Sequence, residues 1–253
     1  MPDFWAHYVQ GNKVLKKLNL NFSNSEKKLF SYFVQGPDPF LFTRDERISW
    51  EIHKNKPGQF LERLFKKCDQ LPLLLGYLSH FNLDRYTHPY ILYIVGADLK
   101  KHRELESSID AETAKMFLRK RIEDMNVKVT LPISIPDSIE NCFWGTFKEI
   151  YEYEPSIDNL LNRSNEEMKK FYETLEYSED YNDVFNMERR LWRNPFTGKK
   201  YRDTFLELME ESIITTVNMF SSYLNGKRMK VPDVSAYTNL PYYVATKLKY
   251  VRK

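Results

Sequence analysis

The chain reads as all-α on three observations. Glycine is scarce, at 8 of 253 residues. Alternating apolar patterns of any length are rare, and apolar residues recur instead at helical spacing. With 42% hydrophobic and 15% aromatic residues, the sequence can bury a substantial core, which excludes a disordered chain. The expectation is one compact multi-helix domain over 1–253. Its first half, 1–126, carries the candidate ligands, and the helices of 137–253 complete the core and wall a pocket.

The elements follow in order. Val14, Leu15 and Leu18 predict an early helix beginning near His7. Gly36-Pro37-Asp38-Pro39 is turn chemistry, because two prolines and a glycine break a helix there. After Pro57-Gly58, the stripe Phe60, Leu61, Leu64 and Phe65 predicts a helix over 59–68. The apolar stretch 72–88 predicts a helix of about four and a half turns, which Pro89 is expected to end at His88. A charged helix is expected over 98–107, with Asp110 and Glu112 marking a fresh start through residue 121. Residues 127–136, β-branched and bounded by proline, read as a linker or surface loop. Further helices are expected over 138–153, 165–182 and 203–225, the last carrying Phe205, Leu206, Met209, Ile213, Val217 and Phe220 on one stripe. The run Asn194-Pro195-Phe196-Thr197-Gly198 reads as a loop.

Net charge is +3, from 38 basic and 35 acidic residues, too balanced to imply a nucleic-acid partner from electrostatics alone. The basic run 247–253 reads as a solvated tail. Cys68 and Cys142 have no CxxC spacing and offer no disulfide framework, which fits a reducing compartment. The start of the chain lacks a basic region followed by an apolar stretch, so no signal peptide is expected. The longest apolar stretches fall short of the roughly 20 residues that a membrane span needs. A soluble, cytoplasmic protein without a transmembrane segment is therefore expected.

All five histidines, His7, His53, His80, His88 and His102, lie in the first 102 residues. Two of them open intervals that close on carboxylates, His80-Phe-Asn-Leu-Asp84 and His102-Arg-Glu-Leu-Glu106. Residues four apart share a helix face, so each imidazole and its carboxylate can converge on one point. Each pair taken alone also fits a local hydrogen bond or a solvated face, and Asp38 alone fits a turn. His80 and Asp84, however, sit in the most apolar helix of the chain. A polar side chain buried there is costly without a partner, and a buried carboxylate needs a cation. Imidazole and carboxylate together suit zinc. Three ligand-bearing segments, with Asp38 in a rigid turn, predict more than one ion, and hydrolysis as its use.

The set His7, Asp38, His53, His80-x3-Asp84, His88 and His102-x3-Glu106 resembles the zinc-dependent phospholipase C family, which is distantly related to fungal single-strand nucleases. The strings Met1-Pro-Asp-Phe-Trp-Ala-His7, Gln35-Gly-Pro-Asp38 and Gly76-Tyr-Leu-Ser-His80-Phe-Asn-Leu-Asp84-Arg-Tyr-Thr-His88-Pro-Tyr90 carry the likeness to its bacterial, intracellular-type branch. The resemblance implies an all-helical fold and two to three zinc ions. It assigns Asp38, His53, His80 and Asp84 to one zinc, and His88, His102 and Glu106 to a second. Asp84 would bridge to a third zinc, also held by His7, and Asp38, or a water held by the metals, would be the candidate general base. The substrate implied is a phospholipid or other phosphate ester.

Two departures stand against the family pattern. Its secreted members ligate the third zinc through a mature N-terminal Trp, whereas Trp5 here is internal. They also separate the last two ligands of the long helix by five residues, where Asp84 and His88 are separated by three. The alternatives are a single-strand nuclease, with aromatic residues stacking bases, and a non-catalytic zinc-stabilised binding protein. Nucleic acid is the less favoured partner.

Overall fold

The computed structural model describes residues 4–153, 158–177, 181–241 and 244. Helices account for nearly all its regular structure. The exception is a two-stranded antiparallel ribbon, β1 (Trp192–Arg193) and β2 (Lys200–Tyr201), paired Trp192 to Tyr201 and Arg193 to Lys200. The loop predicted at Asn194–Gly198 is the turn of this ribbon.

The first helix, α1 (Phe4–Leu18), starts just before His7 and is capped from a distance. Asp110 accepts hydrogen bonds from the backbone amides of Trp5 and Ala6, both at 2.8 Å. A carboxylate there satisfies two orphan amides and favours the positive end of the helix. Asp110 therefore starts no helix of its own. It lies inside α6 (Leu99–Thr113), which Asp98 caps through Lys100 and Lys101 and which continues as a π turn over Ala114–Leu118.

Two helices have no counterpart in the predicted elements. The first, α2 (Asn24–Phe33), is opened by a reciprocal capping box between Ser23 and Glu26, a signal visible in the sequence. The other, α3 (Glu46–Lys54), buries Ile48, Ile52 and His53. Between them, Asp38–Phe42 forms a 3-10 turn. Next, α4 (Pro57–Lys67) matches its predicted stripe, burying Phe60, Leu61, Leu64 and Phe65.

At the centre lies α5 (Leu71–Val95), packed by α1, α2, α4, α6 and α10 (Phe205–Leu224). Its apolar residues run all round, as a fully enclosed helix requires. Pro89 does not end it. An interior proline costs about 3 kcal/mol, but the turns beyond bury Tyr90, Ile91 and Val95, at about 1.5–3 kcal/mol each. Tertiary burial wins, and His88 lies within the helix.

Residues 127–136 are no free linker. They begin with the single turn α7 (Val127–Thr130), bury Val127, Leu131 and Ile135, and are tied by Asn162 to both backbone groups of Ile135. The helix expected over 165–182 is α9 (Leu160–Thr174), shifted toward the N-terminus because Leu160 and Leu161 are buried. Residues 178–180 and the basic run 247–253 lie outside the described residues. The helix α8 (Asp137–Tyr151) and α10 fall close to their predicted bounds, α10 opening with a Thr204–Glu207 capping box.

Buried apolar residues from Phe4 to Ala236 form one hydrophobic cluster. Cys68 and Cys142 are disulfide-bonded, with Cα atoms 6.0 Å apart, joining the end of α4 to α8. This corrects the expectation of unpaired thiols. The partners are 74 residues apart, and only the packing of α4 against α8 brings them together. The argument from unpaired cysteines for a reducing, cytoplasmic compartment falls with it. Among the described residues, no helix is long and apolar enough to cross a membrane.

Candidate metal centre

Five elements deliver the eight candidate ligands. His80, Asp84 and His88 stand on successive turns of one face of α5. His7 comes from the first turns of α1, His53 from the last turn of α3, Asp38 from the 3-10 turn, and His102 and Glu106 from α6. The Asp38 turn approaches α5 so closely that only glycine fits at residue 36. Gly36 has φ +53°, and a Cβ there would lie 2.3 Å from the His80 ring. Left-handed backbone and lack of a side chain are both needed at this point.

Asp84 is the hub. Its Oδ1 lies 3.2 Å from His7 Nε2 and 3.7 Å from His88 Nδ1, and its Oδ2 lies 3.1 Å from His80 Nε2 and 3.4 Å from His53 Nε2. His53 Nε2 is also 3.2 Å from Asp38 Oδ1 and 3.0 Å from His80 Nε2. At the other end, His102 Nε2 is 2.7 Å from Glu106 Oε1, and the His88 and His102 rings are 5.7 Å apart. The donor atoms form three overlapping groups: His7, Asp38 and His80; His53, His80 and Asp84; and His88, His102 and Glu106. Sequence reading had given His80 and Asp38 to a single ion, whereas in space they also stand beside His7.

Most of these groups are out of water. His7, Asp84 and His88 are fully buried, while the Asp38, His102 and Glu106 side chains are 13%, 15% and 10% exposed and mark the open side. Both Asp84 oxygens, His7 Nε2, Asp38 Oδ1 and His88 Nε2 are buried without a hydrogen-bond partner among the described residues. Donor atoms brought this close yet unaligned for hydrogen bonding point at shared spaces, not at one another. That is costly unless a cation occupies the space.

Outer contacts set the tautomers. His53 Nδ1 donates to the Ser49 carbonyl at 2.8 Å, leaving the Nε2 lone pair for the cluster. His88 Nδ1 does the same toward the Asp84 carbonyl at 3.3 Å, leaving Nε2 to face inward. Such hydrogen bonds are how proteins orient ligating imidazoles. The charges are tightly balanced. Burial opposes a proton on His53, but Asp38 and Asp84 overcome it and raise its pKa to about 9. Burial also opposes the Asp84 charge, yet His80, His88, His53 and His7 hold its carboxyl well below the usual range. Burial, then the neighbouring His80, lowers His7, while burial holds His88 and His102 well below the ordinary imidazole value.

Sequence reading missed the far wall. The C-terminal strap, 226–241, crosses α3 and α4. Ala236 N donates to the His53 carbonyl at 2.9 Å, Asp233 accepts from Gly58 N and Gln59 Nε2, and Glu62 accepts from Val231 N. A Cβ on Gly58 would meet the strap backbone at 2.6–2.8 Å. The strap brings Tyr237 against both ligand groups, its ring 5.2 Å from that of His53 and 4.7 Å from that of His88. Burial, then Asp38 and Asp84, push the Tyr237 phenol well above its ordinary pKa. No sequence signal marks Tyr237, since it belongs to no periodic element.

At Trp5 the departure from the resemblance stands. The backbone nitrogen there is a peptide amide already bonded to Asp110, so it supplies no amine to a metal. Comparison with known proteins adds no assignment: no family model, curated protein or solved structure matches this chain.

Proposed function

We propose that the chain is a zinc-dependent phosphodiester hydrolase of the phospholipase C type, acting on a phospholipid or related phosphate ester. The observation that carries this reading is the pair of adjoining donor sets, one around Asp84 and one at His88, His102 and Glu106. Zinc bonds to nitrogen and oxygen of about 2.0–2.2 Å put tetrahedral ligands about 3.3 Å apart. The separations among His53, His80 and Asp84 are 3.0–3.4 Å, and Asp38 lies 3.2 Å from His53. Spacings of this size support a zinc-sized site at His53, His80 and Asp84.

His53, His80, Asp84 and Asp38 would hold one ion, and His88, His102 and Glu106 a second. His7 with the shared Asp84 is the candidate for a third, without help from Trp5. When bound, zinc neutralises charge on phosphoryl oxygens and brings the ionisation of water near neutral pH. Asp38, whose side chain is 13% exposed, would accept the proton of an attacking water at a carboxylate oxygen. Ser49 and the Asp84 backbone hold the His53 and His88 rings in the ligating tautomer. Tyr237 and the surrounding apolar helices keep bulk water from the inner face of the cluster.

The test is elemental analysis and hydrolysis on the same sample. Purified protein should contain at least two zinc per chain. Cleavage of bis(p-nitrophenyl) phosphate and short-chain phosphatidylcholine should vanish on chelation and return with zinc. Undiminished activity in metal-free protein overturns the reading. Preferential cleavage of single-stranded DNA would move it to a nuclease, and zinc without turnover of any ester to a binding protein.

A further inference from the structure

Lys54 follows His53 directly and is half-buried. Its ammonium is 4.1 Å from the ring centre of Trp50 and 5.5 Å from that of Tyr237, and these two rings are 5.9 Å apart. Tyr237 is the same ring that touches His53 and His88. Among the described residues, no carboxylate lies within salt-bridge distance of Lys54. Within α3, by contrast, Arg47 pairs with Glu51.

A half-buried ammonium without a counter-ion, held by two aromatic faces at a phosphate-ester site, selects by charge. The same two faces are what a quaternary ammonium would need, and Lys54 already covers them. A cationic head group would meet a like charge, whereas an anionic one would meet a preorganised donor.

The geometry points to Lys54, with Trp50 and Tyr237, as an anion-binding subsite for a second negative group of the substrate, next to the phosphate at the metals. The inference rests on the proposed phosphodiesterase reading and narrows it to esters with an anionic substituent, against choline-type head groups.

Three phosphate monoesters probe it on zinc-loaded protein by calorimetry: 3-phosphoglycerate, glycerol 3-phosphate and phosphocholine. Their second groups are a carboxylate, hydroxyls and a quaternary ammonium. The parent should bind 3-phosphoglycerate tightest and phosphocholine weakest. Lys54→Gln should weaken 3-phosphoglycerate about twofold to fivefold, the scale of one partly exposed ion pair, and leave phosphocholine unchanged or tighter. Lys54→Arg should keep the preference. An equal loss for all three ligands would mean that Lys54 only pins the strap, and overturns the subsite, as would a parent that prefers phosphocholine or binds none of them. Zinc content of the same samples separates the two readings. A zinc-free protein overturns the metal assignment and this inference together, whereas zinc-loaded protein lacking the Lys54-dependent preference overturns the subsite alone.

Discussion

Glu140 and Asp84 are both carboxylates buried within helices, 7% and 0% exposed, yet their surroundings differ in kind. Glu140, in the C-terminal half, accepts hydrogen bonds at Oε1 from Trp144 Nε1 and Leu161 N, at 2.7 and 3.1 Å. Lys169 nearby donates to the Pro132 carbonyl and to Glu166. Glu140 Oε1 and Lys169 thus find local partners that tie α8 and α9 together, although Glu140 Oε2 is buried without one among the described residues. Asp84 has no hydrogen bond to either oxygen, only imidazoles drawn up around it. In one half a buried carboxylate is held by hydrogen bonds at one oxygen, whereas in the other imidazoles crowd a carboxylate that has none at either. The difference teaches that buried polarity alone is a poor sign of a site. Shared, unaligned donors are a better one.

Removing the hub should break that contrast most strongly. Asp84→Ala deletes the carboxylate that touches all the inner donor groups, and should lose most bound zinc and about 3–5 kcal/mol of stability. Metal content and thermal melting read this directly. Zinc bound as tightly as in the parent would show that Asp84 bridges nothing.

The disulfide ties the two halves and should act on stability without acting on metal. Closing 74 residues contributes roughly 4 kcal/mol in the chain-entropy account. Replacing both Cys68 and Cys142 by serine should lower the melting temperature while the zinc stoichiometry holds. Loss of zinc in that variant would mean that the halves are not energetically separate at the site.

A smaller effect sharpens the geometry. Gly36→Ala combines φ +53° with a Cβ 2.3 Å from His80, and should cost about 1–3 kcal/mol together with weakened zinc binding. Gly96→Ala is the control, since Gly96 has φ +64° but nothing within 4 Å of an added Cβ. It should cost about 1 kcal/mol and leave zinc titrations unchanged.

Much of the helical layout was legible because it is local. The stripes of α4 and α10 and the strong turn before Asp38 need only neighbours in sequence, and the Ser23–Glu26 box would have given α2. Errors arose wherever distant packing outweighed local preference. Pro89 was overridden by burial of Tyr90, Ile91 and Val95. Asp110 looked like a helix start and instead caps α1, more than a hundred residues away.

By itself, the sequence determined a helical chain and the residue types able to hold a cation, since helical periodicity and the four-residue spacings of His80–Asp84 and His102–Glu106 are short-range properties. Tertiary structure alone decided that Asp84 stands among four imidazoles, that Cys68 meets Cys142, and that Tyr237 stands against His53 and His88 with Lys54 over its ring. Those contacts join segments tens to hundreds of residues apart. They form only when the apolar surface of α5 is enclosed, and no local pattern encodes which partners that enclosure brings together.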